Sequence, residues 1–174
     1  MISFWRWLIS GTGNGPGIKR FVDWWLLLHI LAAGILSYFL PISLKEAATT
    51  LLLPVAGIFI GLSFAWGGNA QALLQSEEIE KMSAFKKGGF ADYVYTFQSA
   101  ILLILITLCL WGIAGLGFFD LIWPICSNSN PYKVIGFILF FLSSMTLREC
   151  WHVVLGAQIL LLVRFQVKKR KGNR

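Results

Sequence analysis

Charged residues are scarce in this sequence. Asp, Glu, Lys and Arg make up 13% of its 174 residues, about half the share of an ordinary soluble domain. With 57% hydrophobic residues and a mean hydropathy of +0.71, this excludes a typical soluble enzyme or nucleic-acid binder. Cysteine is nearly absent as well. Three residues, none in a CxxC pair, leave no basis for a disulfide-rich secreted scaffold or a dithiol redox enzyme. The acids number only eight, and an HExxH metal helix, a GxSxG nucleophile elbow and a catalytic aspartate pair are all missing. The glycine-rich run Gly11–Gly17 lacks the Gly-Lys-Ser/Thr ending of a phosphate cradle. The sequence therefore predicts no catalytic residue, no metal, no cofactor and no nucleic-acid partner.

Long apolar runs dominate instead. A hydrocarbon core about 30 Å thick takes roughly 20 apolar helical residues to cross. Four stretches qualify: Phe21–Leu40, Thr49–Trp66, Phe97–Trp123 and Val134–Val163. The first holds one acid, Asp23, and the fourth is interrupted by Arg148, Glu149 and His152. This pattern predicts an all-α integral membrane protein with four transmembrane helices as two antiparallel hairpins. An N-terminal interfacial helix and a glycine-rich link are expected over 1–20. The first hairpin follows over 21–66, a cytoplasmic loop over 67–96, a second hairpin of long helices over 97–163, and a basic tail over 164–174. The first apolar run is too long for a signal-peptide core, and no small-residue cleavage site follows it.

The bases set the orientation. Arg6, Lys19, Arg20, Lys81, Lys86, Lys87, Arg164, Lys168, Lys169, Arg170, Lys171 and Arg174 all fall on one side of a four-span layout, against only Lys45 and Lys133 on the other. The positive-inside rule then places both termini and the middle loop in the cytoplasm, and the compact layout fits the plasma (inner) membrane of a bacterial cell. Lys168, Lys169, Arg170 and Lys171 are expected to meet anionic lipid, at roughly 1 kcal/mol per side chain. Within the loop, Ala70–Lys87 carries Glu77 and Lys81 four apart and an apolar set of Leu74, Ile79, Met82 and Phe85. That is the pattern of an amphipathic helix lying on the membrane or packed on a neighbour.

Small residues mark close helix approaches. Gly57, Gly61 and Ala65 recur every four residues on one face of the second span, and Gly112 and Gly115 lie near the outer end of the third. Such stripes serve helix association in lipid, either inside one bundle or at a subunit seam.

The fourth span holds the most suggestive chemistry. On a helix, Arg148 and His152 are four apart, Glu149 and His152 three apart, and Ser144 extends the same broad face. Counted from Arg164, Arg148 lies about 24 Å along the helix, inside the hydrocarbon. Intramembrane charge of this kind faces a bundle interior or a watery cavity. Either Arg148 and Glu149 neutralise each other across a helix contact, or the face lines a hydrated path. One histidine beside one glutamate falls short of the three or four ligands of a zinc site. The leading expectation is a homo-oligomer forming or gating a path for an ion or small solute, because four spans are too few for most carrier folds. The alternative is a membrane-anchored accessory or scaffold subunit that recruits a soluble cytoplasmic partner through Ala70–Lys87 and the tail. A third reading is an intramembrane lipid-acting enzyme using His152 and Glu149.

Overall fold

The computed structural model describes residues 3–10, 17–40, 42–53, 89–122 and 130–172, with isolated positions between 54 and 88. Among these residues the chain is almost wholly helical. Helix α1 (Phe4–Ser10) is followed by a 3-10 turn, Gly17–Phe21, and by α2 (Trp24–Phe39). One turn of helix, α3 (Leu44–Glu46), widens into a π-helical stretch, Ala47–Leu52. Then come α4 (Gly89–Gly115), α5 (Phe118–Ile122) and α6 (Asn130–Gly172). Val94–Gly115 in α4 and Asn130–Gln166 in α6 are long and apolar enough to cross a membrane. Helix α2 is apolar but has sixteen residues, about 24 Å of rise. The amphipathic helix expected over Ala70–Lys87, the link over 11–16 and most of the turn before Pro131 lie outside the described residues. So do the side chains of Lys168, Lys169, Arg170 and Lys171.

The local chemistry explains where these helices begin and end. Helix α2 stops at Leu40, whose extended backbone (φ −82°, ψ 110°) is the conformation favoured before a proline, here Pro41. The Ser43-x-x-Glu46 pattern then starts α3, with the Ser43 hydroxyl accepting the Glu46 N–H at 3.1 Å. The wider winding of Ala47–Leu52 precedes Pro54 in sequence, a residue with no N–H to return to the carbonyl four positions back. The third expected span, Phe97–Trp123, is not one helix. It stops at Gly115, turns at Leu116 and Gly117, and resumes as α5. Gly117 holds φ +78°, a left-handed conformation that glycine adopts without a Cβ penalty.

The fourth span departs in the other direction. Expected over Val134–Val163, it is a helix of 43 residues, about 65 Å long. Pro131 sits in its first turn, where a missing N–H is harmless, and no later residue is a proline.

The chain divides into two compact units. The first comprises Met1–Phe21, Gly61–Ala100 and Glu149–Arg174, and the second Val22–Ile60 and Ile101–Arg148. In the first, Trp7 of α1 is buried with its ring 5.7 Å from that of Tyr95, and Phe4 lies 6.0 Å from the same ring. The second unit has a core of Ala33, Leu44, Ala47, Ala48, Trp111, Ala114, Tyr132, Leu139 and Phe140. Its alanines keep helix backbones close. A Cβ placed on Gly115 would meet Leu53, Ala48 and Thr49 at 3.5–3.7 Å, so α4 and the π-helical stretch touch through small residues, as helices in lipid do.

Candidate functional site

In the second unit α6 carries its polar side chains on two adjoining stripes. Ser144 and Arg148 are four apart, Ser143 and Thr146 three apart, and one residue of offset turns the helix by about 100°. The first stripe meets α2. Arg148 donates to both carboxylate oxygens of Asp23, Nη2 to Oδ2 at 2.5 Å and Nη1 to Oδ1 at 3.2 Å. Further along, Ser144 Oγ and His29 Nδ1 are 2.7 Å apart, and the Ser37 hydroxyl donates to the Lys133 carbonyl at 2.9 Å. Rising numbers on α2 meet falling numbers on α6, so this pair is antiparallel.

The second stripe meets α4. The Trp111 indole N–H donates to Ser143 Oγ at 2.6 Å, and the hydroxyls of Thr107 and Thr146 are 2.9 Å apart. Near the start of α6, the Tyr132 hydroxyl donates to Asp120 at 2.9 Å and accepts the Leu44 N–H at 2.7 Å. Interhelical hydrogen bonds of this kind average about 0.6 kcal/mol in membrane proteins. They also satisfy groups that hydrocarbon would leave orphaned. Asp23 occupies the N-cap position of α2 yet makes no side-chain cap bond, because both of its oxygens are turned to Arg148.

The first unit holds the other charge pair. Glu149 is fully buried, and its Oε2 lies 2.5 Å from Arg20 Nη2. Arg20 Nη1 also donates to the Thr96 carbonyl at 2.8 Å and to Ser99 Oγ at 2.9 Å. Its guanidinium sits 5.2 Å from the centroid of the Phe21 ring. Two buried atoms lack a partner among the described residues: Glu149 Oε1 here and His29 Nε2 in the second unit.

Arg148 and Glu149 therefore do not neutralise each other. Neighbouring positions on a helix diverge by about 100°, and each residue reaches a different oppositely charged side chain. Arg148, which the residue count places inside the hydrocarbon, is tied to Asp23 at the very start of α2. Ser144 is engaged with His29, His152 is exposed, and Cys150 is buried. Of the small residues, Gly115 closes a helix contact, whereas a Cβ on Gly57, Gly61 or Gly112 would meet nothing within 4 Å, and Ala65 is exposed. Among the described residues, no three His, Cys, Asp or Glu side chains gather where a metal could sit.

No family model, curated protein or solved structure matches this chain. The functional reading therefore rests on the residues themselves.

Sequence reasoning overlooked Arg20 and His29 as site residues. Arg20 reads as one more topology charge in a basic segment. His29 had a usable signal: it is the single Asp, Glu, Lys, Arg or His between Asp23 and Lys45, and an ionisable residue in an apolar run marks a polar contact.

Proposed function

We propose that the protein is a membrane-anchored accessory or scaffold subunit. Its four spans form two hairpins, with both termini and the 67–96 loop on the cytoplasmic face of a bacterial plasma membrane. One observation supports this reading over an open path. The side chains best suited to line a path are engaged inside the helix packing: Arg148 with Asp23, Glu149 with Arg20, and Ser144 with His29. Charges spent this way hold helices together and leave recruitment to the loop and the basic tail.

A permeation path built by several copies is the second reading. The partnerless Glu149 Oε1 and His29 Nε2 favour it, because water in a path satisfies such atoms. Particle mass in nanodiscs, with lipid and scaffold subtracted, separates the two when combined with ion flux from proteoliposomes. A monomer of 19.5 kDa without flux is the expected result. A photo-crosslinking residue within Ala70–Lys87 should then trap a soluble protein in cells. A discrete multiple of four or more, with flux abolished by Arg148→Gln, would overturn the scaffold reading.

A further inference from the structure

We propose that the second unit is built for a thin bilayer, with an apolar belt about 22 Å tall between two polar levels. The first level is Asp23 with Arg148. Asp23 keeps 35% of its side-chain surface open and Arg148 keeps 14%, and a carboxylate exposed to that degree belongs among headgroups rather than acyl chains. Trp24 and Trp25, 82% and 58% exposed, adjoin it as interfacial aromatics do. The second level is Tyr38 with Lys133. The Lys133 ammonium stands 5.2 Å from the Tyr38 ring centroid, and Tyr38 and Phe39 are both 71% exposed.

The antiparallel pairing gives both helices the same height. Asp23 and Tyr38 are fifteen residues apart at α2, and Lys133 and Arg148 are fifteen apart on α6. At 1.5 Å per residue each interval rises about 22 Å, well short of the usual hydrocarbon thickness of about 30 Å. Between the levels the outward side chains are apolar, among them Leu27, Leu28, Leu31 and Ile35 on α2 and Ile138 and Leu147 on α6. The one histidine in the interval, His29, is turned inward to Ser144. Contacts at both ends, Asp23 to Arg148 and Ser37 to the Lys133 carbonyl, prevent the two helices from sliding apart to gain height. Tilting would only lower the belt, and snorkelling of Lys133 and Arg148 closes only part of the mismatch, so in this proposal the lipid thins around it. The occupant of this exposed apolar face is therefore short or locally compressed acyl chains.

The proposal rests on α2 and α6 crossing the membrane, and its test separates that premise from the belt height. The full chain is reconstituted in phosphatidylcholine vesicles with dimyristoleoyl, dipalmitoleoyl, dioleoyl, dieicosenoyl or dierucoyl chains, and folding is followed by reversible denaturation. The folding equilibrium constant should peak in the shortest lipid and fall about tenfold by dioleoyl, given a mismatch cost of fractions of a kcal/mol per Å. A maximum at dioleoyl or longer chains would overturn the thin belt while leaving the membrane premise intact. Extraction of the protein from every vesicle by alkaline carbonate would overturn the premise itself. Lamellar X-ray diffraction gives a second reading on the unaltered protein: dioleoyl bilayers should thin as protein is added, and an unchanged thickness would count against the proposal.

Discussion

The two ion pairs that tie down α6 differ in one respect that governs everything else about them. In the first unit, Glu149 is fully buried and Arg20 is 13% exposed, and the guanidinium is further held by the Thr96 carbonyl and the Ser99 hydroxyl. In the second unit, Arg148 is enclosed to nearly the same degree, at 14%, but Asp23 is 35% exposed, with a bidentate contact and no further protein partner for the carboxylate among the described residues. Burial makes a pair costly to half-remove, because the surviving charge has no solvent to turn to. An exposed carboxylate costs less to strand, because water and headgroups replace the lost partner. The buried pair is therefore the stronger strut, and the open pair is a weaker tie that also marks a level.

The largest break in that contrast comes from Arg20→Ala. It should cost about 3–5 kcal/mol, the usual penalty for stranding one charge of a buried pair, measured by reversible denaturation in bicelles. The double variant Arg20→Glu with Glu149→Arg should recover part of the loss. If Arg20→Ala is tolerated within about 1 kcal/mol, the strut reading fails. Next in size is Ser144→Ala, which leaves His29 Nδ1 without its partner inside a buried contact. Its expected cost is about 1–2 kcal/mol, the penalty for an unmet buried polar group. A double-mutant cycle with His29→Ala isolates the pairwise part. The smallest effect belongs to Arg148→Gln, which strands only Asp23, 35% exposed, at about 1 kcal/mol or less and weakened further by salt. A loss equal to that of Arg20→Ala would erase the distinction between the two pairs.

Much of the fold was legible because its signals are local. Composition and run length carry the membrane character, and the absence of proline after Pro131 carries the continuity of α6. The Ser43-x-x-Glu46 start and the stop before Pro41 are likewise readable from neighbouring residues. The break at Leu116 and Gly117 was harder to see. Gly112, Gly115 and Gly117 read equally well as a close-packing stripe, and only the backbone shows that Gly117 takes the left-handed turn while Gly115 makes the contact. The candidate site was half legible. Arg148, Glu149 and Ser144 stand out because ionisable and polar residues are rare in an apolar run. Their partners do not.

What the sequence by itself determined is the kind of molecule: helical, apolar, with its few charges gathered at the ends of runs and at one place on α6. The tertiary structure decided which charge meets which. Arg148 finds Asp23 across 125 residues of chain, and Glu149 finds Arg20 across 129. No local pattern encodes such pairings. Adjacent residues on α6 point about 100° apart, so the nearest opposite charge in sequence is out of reach. The charge that pairs is the one that helix packing carries to the same level.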